Sequence, residues 1–361
     1  MNIETLDFSI SRYRFLDEEG KLCQPLPEHL TQTDLGISAY QTMVLARTFD
    51  SKAIALQRTG KLGTYPSILG QEAIGTAIGL AMHENDVFAP YYRDLTTQYL
   101  RGVQLEELLL YWGGDERGSD YQNCPQDFPI CVPIATQLCH AAGAAIGLKV
   151  QGIHRAALVT CGEGATSKGD FLETLNLAGD WQLPLVVVVN NNQWAISTPR
   201  NVQTGSETIA QKAIGAGVTG IQVDGNDFFS VFYAVNEALS KAYAGKGATL
   251  IEAVSYRLGD HTTADDASRY RSAEELKQAW KREPIKRLQQ YLVAQGVWSP
   301  EQEQALIERV TKEVDEAVKA YLSYPPQKTG ELFEYLYETL PEPLRDQCVE
   351  ARYAHLNLGG R

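Results

Sequence analysis

Glu163 stands between Gly162 and Gly164, and 29 positions further on Asn192 closes the triplet Asn190-Asn191-Asn192. A carboxylate between two glycines is a hard ligand with open backbone on either side. Asn191 and Asn192 add neutral amide oxygens. One carboxylate, an amide oxygen, a backbone carbonyl and phosphate oxygens suit Mg²⁺, which takes six oxygens and often shares them with a substrate phosphate. A helix expected to start near residues 166–168 would turn its first N–H groups and its positive end toward that phosphate. The residues alone therefore point to a Mg²⁺–diphosphate site. Ser167 stands where a G-x-G-x-x-G string would need its third glycine, and no G-K-[ST] follows, so neither a dinucleotide fingerprint nor a P-loop is present. The ordinary reading of an Asn triplet after a strand is a turn.

Three other groups carry chemistry. Arg93, after Tyr91-Tyr92, sits at the end of a short apolar run, where a guanidinium suits an oxyanion; in isolation it reads as a surface arginine. In the turn 132–137, Pro133 holds Val132 extended, and Ile134 taken alone is a core residue. Beyond the last apolar run comes Gly259-Asp260-His261-Thr262-Thr263-Ala264-Asp265-Asp266. A histidine in such a loop suits general acid–base work, because its pKa lies near neutral. Its ordinary reading is an exposed ring bonded to Asp265 or Asp266. The loop 257–271 reads as polar and exposed with few apolar anchors, braced by Arg257, Asp265, Tyr270 and Arg271.

These groups need elements to gather them. Residues 156–161 form a short apolar run, as a strand buried on both faces should. A helix is expected over 168–181, and a valine-rich strand over 185–189. That is a βαβ unit with parallel strands and a right-handed crossover, and ligands of such sheets sit at the carboxyl ends of the strands. Further strands are expected at 86–90, near 221–224 and at 249–256. Helices are expected over 33–59 with a cap at Thr33-Asp34, over 73–82 with Gly75, Ala77 and Gly79 for close packing, up to 150, and over 228–244 after a cap at Asp227. From 273 the chain reads as helical, broken at Pro284 and at Tyr324-Pro325-Pro326, with a capped helix from Ser299 to about 321 and two short helices over 328–340 and 343–350. The fold class is α/β, a doubly wound, mostly parallel sheet with a helical C-terminal region. The division read from the sequence is an extended arm over 1–30, the α/β domain over 31–272 and helices over 273–361.

The chain has 361 residues and a net charge of −13, without a Lys/Arg-rich block. That argues against nucleic acid and anionic membranes as partners. No apolar run approaches the ~18 residues that span a bilayer. Residues 1–11 hold no basic stretch with an apolar core and carry Glu4 and Asp7, so neither a secretory nor an organellar leader is expected. The six cysteines show no C-x-x-C and read as free thiols of a reducing compartment, the cytoplasm by default.

Taken together, the Gly-Glu-Gly opening and the paired Asn resemble the thiamine diphosphate motif. Residues 162–170 and 191–198 are similar to the α subunit of the E1 component of 2-oxo acid dehydrogenase complexes, a likeness that runs from about residue 13 to 351. The resemblance implies Mg²⁺ on the Glu163 carboxylate, the Asn192 side chain and the backbone oxygen of Trp194, with Gly162, Gly164 and Ala165 among the cofactor-binding positions. Many members carry Asp at the position of Glu163, although the branched-chain members also use Glu. Many carry Tyr where Trp194 stands, a swap that a backbone ligand tolerates. Tyr92 and Arg93 match a pair placed against thiamine diphosphate, the arginine on its diphosphate. Val132 and Ile134 match the turn that contacts the aminopyrimidine, Ile134 being the apolar residue beneath the thiazolium. In some relatives this turn also binds potassium, and Thr136 and Gln137 match there. His261 matches a histidine that serves substrate binding and reductive acylation of lipoyl groups, in a loop that orders around the bound cofactor. Thr262 replaces a serine that is phosphorylated in animal relatives, so that modification is not carried over.

The resemblance covers the diphosphate half alone. The glutamate that activates the pyrimidine comes from a separate β subunit in this family, which implies an α₂β₂ heterotetramer with sites at the α/β interfaces. The implied reaction is oxidative decarboxylation of a 2-oxo acid, with acyl transfer to a lipoyl domain of the E2 acyltransferase. Pyruvate is the first substrate expected, branched-chain 2-oxo acids the second and acetoin the third. A non-catalytic assembly subunit is the reading of another class, and the intact set Glu163, Asn192, Arg93 and His261 opposes it.

Overall fold

The computed structural model describes residues 7–357. The first six residues, on which the expectation about a leader partly rests, and the last four of the helical region lie outside that range. Six strands form one sheet: β1 (Ser11–Tyr13), β2 (Val87–Ala89), β3 (Ala157–Gly162), β4 (Leu185–Asn191), β5 (Thr219–Asp224) and β6 (Thr249–Val254). Their order is β1-β5-β6-β4-β3-β2, and every pairing is parallel. Successive residues of the central strands face opposite sides, and both sides are apolar, as expected for a parallel sheet covered by helices. Val159 and Cys161 of β3 and Val187 and Val189 of β4 pack with Leu138, Ala141, Phe171 and Leu175. These last come from α5 (Thr136–Val150) and α6 (Gly169–Asp180). Leu158, Val186, Val188 and Ile251 face the other way, onto Met43, Ile74, Ile78 and Val231.

That second layer is built from α1 (Thr33–Arg58), α2 (Glu72–Ala81) and α7 (Phe228–Tyr243). α5 and α6 carry the chain from β2 through β3 to β4 along one face. α7 returns it from β5 to β6 on the opposite face, as right-handed crossovers require when the direction of travel reverses. Between β2 and α5 lie α3 (Leu95–Arg101) and α4 (Leu105–Gly113). The small residues of α2 allow close packing on α3: a Cβ at Gly79 would sit 2.7 Å from Leu100. At the C-terminal side, α8 (Ala273–Trp280) and α9 (Pro284–Ala294) are separated where Pro284 was expected to break the helix. α10 (Pro300–Ser323) opens on a capping box of Ser299 and Gln302, and its Leu306, Val310 and Val314 join the core that contains α1. Last comes α11 (Glu342–Asn357).

Several expectations are corrected in detail. The arm is not merely extended, because β1 adds to the sheet edge beside β5. α1 begins at Thr33, with Gln32 at the cap position and no side-chain cap bond. The first of the two short helices after Pro326 is only a 3₁₀ turn, Thr329–Phe333. Among the described residues no helix is long and apolar enough to cross a membrane.

Candidate active site

β3 and β4 pair with Gly162 opposite Asn190. This parallel register is why residues 29 positions apart meet: Glu163 leaves one strand end beside Asn191 and Asn192, which leave the other. A cleft of ≈ 320 Å³ opens there. Tyr92, Arg93, Ile134, Gly162, Glu163, Gly164, Ala165, Asn192, Trp194 and His261 all line it. Val132 is half exposed and lies outside the lining. Ile134 is also partly exposed rather than part of the core.

Glu163 is 1% exposed. Its carboxylate accepts the Asn192 N–H at 3.2 Å and makes no ion pair with a cation among the described residues. Burial raises its pKa above the ordinary glutamate range, opposed by backbone N–H groups and by the more distant Arg257 and Arg93. A 3₁₀ turn, Glu163–Ser167, separates β3 from α6, so the helix starts at Gly169 and not at 166–168. Thr166 and Gln203 donate to the Glu163 carbonyl at 2.8 and 3.1 Å and fix the turn.

The three asparagines do different work. Asn190 donates to the Tyr91 hydroxyl at 2.8 Å and accepts from Ser255 at 2.8 Å. Asn191 donates to Glu252 at 2.7 Å and accepts from Gln193, so its amide oxygen is not offered to the cleft and that expectation is corrected. Asn192 alone lines the cleft, with Nδ2 on Gln71 at 3.2 Å and Oδ1 meeting the Trp194 N–H at 3.3 Å. The side chains alternate, so Asn190 and Asn192 share one side and Asn191 takes the other.

Left-handed backbone concentrates here. Of the four non-glycine residues with positive φ among the described residues, Ala135, Gln193 and Ile196 border the cleft or its asparagine turn. Such conformations cost energy, and surrounding structure has to hold them. Trp194 is part of that structure. Its indole N–H reaches Tyr256 and Glu275, both at 3.2 Å, which ties the turn to α8. Its carbonyl accepts from Arg257 at 3.0 Å and keeps a second lone pair for another partner.

The loop after β6 is not the exposed segment expected. Arg257, Leu258, Thr263, Ala267 and Arg271 are buried. Arg257 donates to the carbonyls of Trp194 and Ile196 and to the Tyr270 hydroxyl; Tyr270 and the His261 N–H both donate to Asp265. Tyr65 and Thr263 exchange bonds that bind this loop to residues 61–70. Asp50 of α1 in turn holds Tyr65, Ser67 and Ile68. Arg93 is buried; it donates to the Ser67 carbonyl, to the His261 carbonyl at 2.6 Å and to His261 Nδ1 at 3.0 Å. Arg257 approaches the same nitrogen at 3.3 Å.

Facing two guanidinium groups, Nδ1 acts as an acceptor, which leaves the proton on Nε2. Burial, then Arg93 and Arg257, lower the His261 pKa to about 4 against the pull of Asp265. The near-neutral titration expected from the residue type is therefore corrected: His261 is a neutral imidazole at pH 7 in this arrangement.

Sequence reading missed Gln203, Gln71, Asp50 and Glu275. None belongs to a spacing pattern, and each acts through the fold. For Gln71 the one available signal was its place directly before the small-residue helix α2.

Among the described residues no group of three or more His, Cys, Asp or Glu side chains gathers as a metal cluster. A cation at Glu163 would be completed by amide, carbonyl and ligand oxygens, which fits Mg²⁺ and not zinc. The buried, unpaired carboxylate fits such a cation. In the turn at 134–137, Gln137 donates to the Thr160 carbonyl at 2.9 Å, while its buried Oε1 has no partner among the described residues.

A doubly wound parallel sheet with its cleft at the carboxyl ends of the central strands places the protein in the α/β class that binds ligands at those ends. More narrowly, the chain belongs to the dehydrogenase E1 component family, whose sequence model matches residues 40–329. It is 39% identical over 336 residues to the pyruvate dehydrogenase E1 component subunit alpha of Acholeplasma laidlawii, covering 92% of this chain and 97% of the relative. The Mycoplasma pneumoniae protein of the same name is 37% identical over 340 residues, 94% of this chain and 95% of the relative. That of Staphylococcus aureus is 38% identical over 336 residues, 92% and 90% respectively.

Proposed function

We propose that this chain is the α subunit of a thiamine diphosphate-dependent E1 enzyme that oxidatively decarboxylates pyruvate. The observation that carries the reading is the buried carboxylate of Glu163, paired with no cation among the described residues and accepting the Asn192 N–H, in a chain of this family. The names of its relatives support pyruvate over branched-chain 2-oxo acids and acetoin. Glu163, Asn192 Oδ1 and the Trp194 carbonyl would hold Mg²⁺. Arg93 and Tyr92 would flank the diphosphate, and Gly162, Gly164 and Ala165, which share the lining, would let it approach the backbone. Ile134, in the lining, would lie beneath the thiazolium, and the turn that carries it and Val132 would contact the aminopyrimidine. Bound thiamine diphosphate supplies an electron sink for loss of CO₂. His261, neutral and fixed through Nδ1, offers its Nε2–H as a hydrogen-bond donor to the substrate and then to the lipoyl group. Gln137 Oε1 and Thr136 suit a potassium ion.

The partners in this reading are a β subunit, in an α₂β₂ assembly, and the lipoyl domain of an E2 acyltransferase. A reducing compartment, the cytoplasm, suits six unpaired cysteines. The test is coexpression with the β subunit and an assay of CO₂ release with an artificial electron acceptor on each 2-oxo acid. Pyruvate should be turned over fastest, with dependence on thiamine diphosphate and Mg²⁺. A branched-chain preference would overturn the substrate, and turnover independent of the cofactor would overturn the whole reading.

A further inference from the structure

Gln71 lies just before α2, is 3% exposed and does not line the cleft. Its Oε1 accepts from the Tyr91 hydroxyl at 3.3 Å and from Asn192 Nδ2 at 3.2 Å. Its Nε2 is buried and has no acceptor among the described residues. A buried amide ordinarily satisfies both ends. Here the side chain is held by its oxygen alone.

The direction of the bonds gives that oxygen its role. Ser255 donates to Asn190 Oδ1, and Asn190 Nδ2 donates to the Tyr91 hydroxyl, both at 2.8 Å. Tyr91 is left to give its own proton to Gln71 Oε1. Gln71 Oε1, fixed as an acceptor, can face only the NH₂ of Asn192. Asn192 Oδ1 is thereby turned away from Gln71, to the side where the Trp194 N–H meets it. The relay draws on the ends of β6 and β4, the segment after β2 and the loop before α2, and it converges on the orientation of one amide.

We propose that Gln71 is a positioning residue that sets the Asn192 amide so that oxygen, and not nitrogen, is presented to a divalent cation held by Glu163. With the amide reversed, the positive end of its dipole would face the cation. The inference rests on the metal reading given under Proposed function. Outer groups that orient a metal ligand typically change metal affinity by about 10- to 100-fold when removed.

The experiment titrates Mg²⁺ calorimetrically into the complex of the full chain with its β subunit at saturating thiamine diphosphate. Gln71→Leu removes the acceptor and should weaken Mg²⁺ by about 10- to 100-fold. Gln71→Glu keeps an acceptor toward Asn192 and should hold wild-type affinity or better, a rescue that a merely structural role would not show. Gln71→Met, of similar reach and without an acceptor, replaces the leucine variant if that one fails to fold. Wild-type affinity in Gln71→Leu or Gln71→Met would overturn the proposal, and so would equal losses in the acceptor-free and Glu variants. If the wild-type complex itself shows no Mg²⁺ dependence, the metal reading falls instead. Glu163→Ala is the reference for that outcome.

Discussion

Glu163→Gln should make the protein more stable without ligand and less stable with it. The carboxylate is 1% exposed, accepts from backbone N–H groups and has no paired cation among the described residues. A buried charge in that state costs free energy, and an isosteric amide keeps the acceptor while removing the charge. The gain should be on the order of 1–2 kcal/mol at neutral pH, or about 1–3 °C in midpoint for a chain of this length. Burial raises the Glu163 pKa in the folded state. Its contribution is therefore fully present below the unfolded value and lost as pH rises through the folded one, so the advantage of the amide should widen with pH. Ligand reverses the order. At about 100 times the dissociation constant, Mg²⁺ with thiamine diphosphate should stabilise the wild type by about 2.7 kcal/mol, and the variant by little. The assay is thermal unfolding of both complexes over a pH series, with and without Mg²⁺ and cofactor. An equal ligand-induced shift in the two proteins would refute Glu163 as the metal ligand. A variant less stable than wild type without ligand would refute the argument from buried charge.

Three further outcomes are expected. The purified chain without its β subunit should release no CO₂ from any 2-oxo acid, because no carboxylate in it is assigned to activate the pyrimidine; cofactor-dependent release by the chain alone would contradict this. His261 has its pKa lowered to about 4, so its contribution to stability is present above the unfolded value of about 6.5 and fades as pH falls toward 4; His261→Gln should flatten that slope in melting curves, and an unchanged slope would remove the assignment. Burial raises Asp94 to about 8 despite donation from Thr160 and the Tyr91 N–H, so its contribution is lost as pH rises through 8. Asp94→Asn should therefore gain on the wild type as pH rises from about 4 to about 8 and gain no more above that, and parallel melting curves from about pH 5 to about 8 would refute the raised value.

The asparagine triplet shows where sequence reading works and where it stops. The two ends of the βαβ unit were legible because strand period, glycine breaks and parallel register are local or topological rules. Once Gly162 stands opposite Asn190, Glu163 must lie near the triplet. The opposite facing of Asn191 was also within reach, since side chains alternate along a strand. What could not be read was which side held partners. Glu252, 61 positions from Asn191, and Gln71, 121 positions from Asn192, become neighbours only through the sheet order and the loop before α2. The same limit explains β1, too short at three residues to show a period, and the His261 loop. That loop is polar by composition and buried in part by position, because Arg257 spends its donors on the carbonyls of Trp194 and Ile196, Arg271 on the carbonyls of Arg257 and Leu258, and Arg93, from the segment after β2, on the His261 carbonyl. Residue type alone assigns a histidine in such a loop a pKa near neutral. Burial, then Arg93 from a distant element and Arg257 from the loop itself, decide otherwise, and they make a fixed hydrogen-bond donor of a residue that composition presents as a titrating one.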